Sequence, residues 1–131
     1  MKSLFPETNI TITEIVRNIS YYEHQIQMFH WQTKSYAQHE AFGNLYNKIY
    51  EFKDVAIETL MGVYNKRPNA YAPKGIIDMC PSCIISILNE FCDFLNKLRD
   101  KCEKEKCYDI SSMIDDICLE VHKTKYLLTL Q

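Results

Sequence analysis

The segment TITEIVRNISYYEHQIQMF, residues 11–29, decides the fold class of this 131-residue chain. Its first turn holds Thr11 followed three positions later by Glu14, which is the capping box that predicts the start of a helix. From there, apolar side chains recur at alternating steps of three and four residues, at Ile12, Ile15, Ile19, Tyr22, Ile26 and Phe29. That spacing is the period of an α-helix with one buried face.

Three further segments carry the same apolar spacing. They run from Phe42 to Val63, from Ile84 to Cys102 and from Ile110 to Leu128, and Asp109 is the predicted N-cap of the last one. The chain holds only three glycines and four prolines, so these stretches are free to form helices. We therefore predict an all-α fold, an antiparallel four-helix bundle that forms a single domain over residues 1–131.

The link between the second and third predicted helices differs from the other two. Its sequence, KRPNAYAPKGIIDMCP (residues 66–81), contains three prolines and a glycine. The turns predicted near residues 34–38 and 104–109 are much shorter. We expect the long link to be a surface crossover, which is where a ferritin-like bundle has its crossover.

Composition and charge exclude several function classes. The chain is 47% hydrophobic and 24% charged, with a net charge of −2. It has no basic tail or stripe, so we do not expect it to bind duplex DNA. No apolar run reaches the roughly 18 residues that a membrane helix needs. The first residues, MKSLFPETN, lack the apolar core of a secretory signal, and we expect a cytoplasmic location.

Two histidines and two carboxylates form the candidate metal site. His30 and His39 lie nine positions apart, on either side of the first predicted turn, while Asp54 and Glu58 share one face of the second helix. Along that helix, His39 and Asp54 are separated by roughly 22 Å. One ion cannot bridge them, because metal–ligand bonds are only about 2 Å long. The hypothesis is a site shared by two chains, in which the second helix packs antiparallel against its own copy.

A second apolar face on the same helix suits such a dimer. It comprises Tyr46, Tyr50, Ile57 and Met61, which lie off the main apolar seam. A helix that is apolar on two sides is usually covered on both. We therefore expect a homo-oligomer, a dimer or larger, that buries this face between chains.

These residues also carry a resemblance to a known family. The motif residues are His30-Trp31, His39-Glu40, Asp54 and Glu58. Their order and spacing, within residues 12–62, resemble those of the Dps mini-ferritins. The resemblance implies a ferritin-like bundle with a site for iron between subunits, used for iron sequestration or as a ferroxidase. It also implies that the mixed nitrogen and oxygen ligand set holds iron in preference to zinc.

The string FHWQTKSYAQHEAF, residues 29–42, is similar to a second group, an uncharacterised family of small phage and giant-virus proteins. That resemblance implies a viral protein located in the cytoplasm of the host cell. It also supports an alternative function, a metal-free helical-bundle interaction protein that binds a host or viral protein.

Six cysteines raise a rival site. Cys80 and Cys83, together with Cys102 and Cys107, have the spacing of a zinc framework. If the third helix runs from Pro81 to Cys102, however, the two pairs lie roughly 30 Å apart and cannot share one zinc ion. The start of that helix would lower the pKa of a thiol at Cys83, so a redox-active Cys80/Cys83 pair remains an alternative.

Overall fold

A computed structural model describes residues 10–130 of the chain. Over that range the protein is all-helical, without strands, which confirms the all-α part of the predicted fold. The helices are α1 (Ile12–Gln32), α2 (Tyr36–Tyr64), α3 (Pro81–Lys104) and α4 (Tyr108–Leu127). In this part of the chain, no helix is both long and apolar enough to cross a membrane. The predicted domain also included residues 1–9 and 131, which lie outside the described residues.

The start of α1 follows the sequence signal, whereas the start of α4 departs from it. Thr11 caps α1, because its Oγ1 accepts a hydrogen bond from the Glu14 N–H at 3.1 Å. Asn65 ends α2 in the left-handed conformation with φ of 50°. The prediction that Asp109 is the N-cap of α4 is wrong: Cys107 occupies that position and Asp109 lies in the first turn.

Burial of Cys107 explains the earlier start of α4. Its N–H donates to the Cys102 carbonyl at 2.7 Å, and its side chain is 7% exposed. The Tyr64 hydroxyl lies 3.5 Å from Cys107 Sγ. The chain therefore turns at Cys107, where a buried side chain anchors it, rather than at Asp109 two residues later.

The apolar seams of all four helices meet in one core. In the described chain, α1 packs against α2 and α3, and α4 packs against α2 and α3. The Tyr22 ring of α1 stacks on Phe91 of α3 with 4.7 Å between ring centroids. The largest fully buried side chains are Phe29, Phe42, Phe91, Ile12, Ile15, Ile19, Ile26, Leu45, Ile49, Leu60 and Leu88.

The predicted second apolar face of α2 is smaller than expected. Ile57 is buried in the chain's own core, so its assignment to a partner surface is wrong. Tyr46 and Met61 are half-buried and pack against the same core. Only Tyr50 is largely exposed, at 60%. The physical reason is that α1 and α4 cover two sides of α2 within one chain.

The crossover, residues 65–80, lies along α1. Near the start of that helix, the Asn69 N–H donates to Thr13 Oγ1 at 2.8 Å. Near its end, the Met79 N–H donates to Gln32 Oε1 at 2.7 Å. The crossover therefore follows α1 from end to end, and α3 begins beside the turn that joins α1 to α2.

A buried glutamine holds the last part of the crossover. Gln25 is fully buried, and its Oε1 accepts from the Ile77 N–H at 2.8 Å while its Nε2 donates to the Ile77 carbonyl at 2.9 Å. One amide thus satisfies both backbone groups of a single crossover residue. A buried polar group left without its partner is costly, so this pair of bonds fixes the path of the crossover.

Replacing Gln25 should destabilise the fold. Gln25→Met keeps the side-chain length but leaves both backbone groups of Ile77 without their partner. We expect the free energy of unfolding, measured by urea denaturation, to fall by about 2 kcal/mol. The control is Gln27→Met on the same helix, at a half-buried position that makes no such pair of bonds in the described chain. It should change the value by no more than about 0.5 kcal/mol. Equal losses in the two variants would contradict the role of Gln25.

Candidate functional site

The short turn between α1 and α2 brings two predicted ligands together. His30 lies in the last turn of α1 and His39 in the first turn of α2. Their rings stack, with 3.8 Å between centroids and 16° between planes. The expectation that this pair meets across the turn is confirmed.

Each histidine also binds the backbone of the other. His30 Nδ1 donates to the His39 carbonyl at 2.6 Å, and His39 Nδ1 donates to the His30 carbonyl at 2.9 Å. A carbonyl oxygen can only accept, so both Nδ1 atoms carry a hydrogen. In the neutral ring, Nε2 is therefore the nitrogen that keeps its lone pair. The sequence predicted the encounter, but it gave no sign of this reciprocal bonding.

A glycine makes room for one of the two rings. A Cβ at Gly43 would lie 2.9 Å from His30 Cε1 and 3.1 Å from His30 Nδ1. The ring of Tyr46 completes this pocket, edge-on to His30 at 5.3 Å between centroids. Gly43 follows His39 by one helical turn, so a glycine four positions after the second histidine is the signal that sequence reasoning missed.

Two glycines of α2 should respond in opposite ways to the same substitution. Glycine weakens a helix interior by about 1 kcal/mol relative to alanine. Gly62→Ala should therefore raise the free energy of unfolding by much of that amount, because a Cβ at this position meets nothing within 4 Å. Gly43→Ala should lower the free energy of unfolding and shift the NMR resonance of His30 Hε1, because the methyl group displaces the ring. Equal stabilisation by both substitutions, with an unchanged His30 resonance, would show that the ring does not occupy this position.

The stacked geometry limits what the pair can bind. The lone pair of an imidazole nitrogen lies in the plane of its ring, and these two planes are nearly parallel and separated. One ion cannot lie in both planes at the roughly 2 Å that a metal–nitrogen bond requires. In this arrangement, His30 and His39 provide one Nε2 ligand per ion rather than two.

The two predicted carboxylates lie elsewhere on α2. Asp54 and Glu58 are both exposed and are not brought to the histidines of the same chain. Within residues 10–130, no three His, Cys, Asp or Glu side chains are grouped so that they could hold a metal ion. The four predicted ligands therefore form two separate pairs within one chain.

The lysines of α2 are paired with residues of other helices. Lys48 forms a salt bridge with Glu120 of α4 at 2.8 Å, and Lys53 forms one with Glu23 of α1 at 2.6 Å. In the part of the chain that the structure describes, no salt bridge reaches Asp54. The exposed carboxylates of α2 are therefore not neutralised by their own helix.

The four cysteines of the predicted zinc framework are divided between the two ends of α3. Cys80 and Cys83 form a disulfide at its start, with 5.0 Å between their Cα atoms, whereas Cys102 and Cys107 are buried near its end. The expectation that these four residues do not share one zinc ion agrees with this separation. Burial raises the pKa of Cys102 to about 12 and that of Cys118 to about 11, so both thiols stay protonated near neutral pH.

Comparison with known proteins finds a relative in a phage. It is 28% identical over 102 residues to an "Uncharacterized 14.6 kDa protein in mobD-ri intergenic region" of Enterobacteria phage T4, an alignment that covers 78% of this chain and 75% of the relative. No solved structure matches. The predicted resemblance to phage proteins is confirmed, whereas the resemblance to Dps stays a prediction. A family model matches residues 30–128, a region that includes all four candidate ligands, and the chain therefore belongs to the family of unknown function DUF5856.

Proposed function

We propose that this protein is a Dps-like metal-binding protein whose site forms between two copies of the chain. One imidazole of the His30/His39 pair in one copy, together with Asp54 and Glu58 of the other, would hold Fe(II). The function would be iron sequestration. The protein would also be a ferroxidase if an oxidant accepts one electron from each Fe(II) and the carboxylates retain the Fe(III) that is formed.

The arrangement of the helices supports a ferritin-like antiparallel bundle. The last residue of α2, Tyr64, lies against the N-cap of α4, Cys107, so these two helices run in opposite directions. The crossover follows α1 along its length to the far end of that helix, where the Met79 N–H donates to Gln32 and α3 begins. These features are the ones expected of a bundle with its long connection between the second and third helices.

The observation that carries the proposal is the bonding of the two Nδ1 atoms. Histidines that bind metals almost always donate their other ring N–H to a carbonyl or carboxylate, which fixes the tautomer and the ring orientation. Both His30 and His39 already have this bond, to each other's backbone. The remaining Nε2 atoms are the metal-binding form of imidazole.

Charge gives a second reason to expect a cation between two copies. Asp54 and Glu58 are exposed at one end of the α2 surface, and Glu40, next to His39, is exposed at the other. An antiparallel pairing of two α2 helices would place these carboxylates opposite one another. Like charges in such contact repel, and a divalent cation between them would offset the repulsion.

Complementation between two variants tests the shared site. Asparagine carries its amide nitrogen near the place of Nδ1 and has no counterpart of Nε2. His30→Asn with His39→Asn should therefore keep the backbone bonds and lose Fe(II) binding in anaerobic calorimetry. Asp54→Ala should lose it as well, while Glu51→Ala, an exposed carboxylate on the same helix, is the control that should bind like the wild type.

A refolded mixture of the two binding-deficient variants provides the decisive comparison. Each mixed dimer contains one interface end with intact histidines from one chain and an intact Asp54 from the other, so it should recover one of its two sites. If the variants bind iron like the wild type, or the mixture recovers no binding, the shared site is wrong.

A groove between α2 and α4 favours the alternative of a metal-free interaction protein. Its lining includes Phe52, Val55, Met113, Ile117 and Leu119. Val55 is 50% exposed and Leu119 is 64% exposed, so apolar surface is available to a host or viral protein. Wild-type protein that binds no Fe(II) in the same calorimetry would leave this function as the better account.

A further inference from the structure

We propose that Cys80 and Cys83 form a redox-active dithiol that exchanges with disulfides of the glutathione type. Cys80 would be the attacking thiol and Cys83 the resolving thiol. This site does not depend on the metal-binding function proposed above.

The two cysteines lie where a helix starts. Cys80 is the N-cap of the 24-residue helix α3, Pro81 occupies the first turn, and the disulfide joins residues three positions apart. Both cysteines are half-buried, so neither sulfur is sealed inside the core. A cysteine pair with two intervening residues at a helix start is an arrangement in which thiol pKa values are commonly lowered.

Local donors favour Cys80 as the thiolate. Its Sγ accepts from the Cys83 N–H at 3.1 Å and lies 3.5 Å from Ser82 Oγ. No acidic residue occupies the first turn of α3. The nearest carboxylate in sequence, Asp78, already accepts a hydrogen bond from Gln32 Nε2 at 2.8 Å. The amide groups at the helix start and the hydroxyl would therefore stabilise a negative charge on Cys80.

Packing separates the roles of the two sulfurs. Cys83 packs against the hydrophobic core, whereas Cys80 belongs to the end of the crossover. The adjoining residue, Met79, is held to α1 through its bond to Gln32. Directly after the disulfide, Ile84 is buried in the core. The chain is therefore held on both sides of the disulfide by contacts that do not involve sulfur, so the bond can open without loss of the helix.

The other cysteines do not combine these features. Cys107 is also an N-cap, that of α4, but it is buried and its side chain makes no capping hydrogen bond. Burial raises the pKa of Cys92, Cys102 and Cys118 above the usual value of a thiol. Their thiols stay protonated and react slowly, because the thiolate is the nucleophile. Within one chain they serve as internal controls for the reactivity of Cys80.

The exchange balances as a two-electron transfer. The Cys80 thiolate attacks one sulfur of a disulfide R–S–S–R, that bond breaks, and the leaving thiolate takes up a proton. Cys83 then loses its proton and attacks the Cys80 sulfur, which forms the Cys80–Cys83 bond and releases the second thiol. The protein dithiol is oxidised and the disulfide is reduced to two thiols; excess reduced glutathione drives the reverse reaction.

Trapping of the mixed disulfide tests the assignment. In Cys83→Ser, oxidised glutathione should produce a stable adduct that peptide mass spectrometry places on Cys80. In Cys80→Ser, adduct formation on Cys83 should be slower by about tenfold, because Cys83 packs against the hydrophobic core and does not occupy the N-cap position. A parallel experiment uses insulin, a disulfide-bonded protein, in place of oxidised glutathione. It shows whether the oxidant is a small-molecule disulfide or a protein disulfide. Reaction through Cys80 in either experiment supports the proposal.

Wild-type protein provides a measurement that does not depend on the variants. After reduction, limiting iodoacetamide should label Cys80 before any other cysteine, and the pair should pass reversibly between thiol and disulfide as the glutathione ratio is changed. A pair that stays oxidised in excess reduced glutathione would be a structural disulfide. The proposal would be overturned by that result. It would also be overturned by equal labelling of Cys80 and Cys102, or by equal rates of adduct formation in the two variants.

Discussion

The reciprocal bonding of His30 and His39 is the interaction on which the rest of this end of the molecule depends. Each ring donates to the other's carbonyl, and the two rings stack across a turn of only three residues, 33–35. The orientation of α2 relative to α1 is fixed where the helices are joined. Gly43 is required because any side chain at its position would enter the space of the His30 ring.

This structural role and the proposed metal site use opposite atoms of the same rings. The backbone takes Nδ1 and leaves Nε2, so holding the turn closed does not compete with binding an ion. Residues on one helix keep their axial distance whatever the rest of the chain does, so the proposed site, which uses the His pair together with Asp54 and Glu58, requires two chains. The acidic surface of α2, whose lysines are paired with α1 and α4, is consistent with a cation between chains.

Features that depend on the spacing of apolar residues could be predicted from the sequence. Features that depend on which side chains are buried against one another could not. The three-four apolar steps gave the four helices, and the prolines gave the crossover. Asp109 was misplaced because burial of Cys107 outweighed the usual preference for an aspartate cap. Ile57 was assigned to a partner because its spacing does not reveal that α2 is covered on two sides by its own chain.

Hydrogen-bond geometry was outside the reach of pattern reasoning. The two bonds from Gln25 to Ile77 join residues 52 positions apart, and no local signal connects them. The predicted helix start at Cys83 suggested a redox pair, but only the structure shows the donors around Cys80 Sγ. The resemblance to phage proteins rested on a continuous string of residues, which is why comparison with known proteins could confirm it.

The most direct test of the proposed metal site is long-range ¹H–¹⁵N NMR of the histidine side chains, recorded with and without Zn(II) as a diamagnetic substitute for Fe(II). Without metal, we predict that His30 and His39 both carry their hydrogen on Nδ1 and show an unprotonated Nε2. Addition of Zn(II) should shift the Nε2 resonance of one of them, and Asp54→Ala should abolish that shift. Histidines protonated on Nε2 instead, or Nε2 resonances that Zn(II) leaves unchanged, would contradict the account.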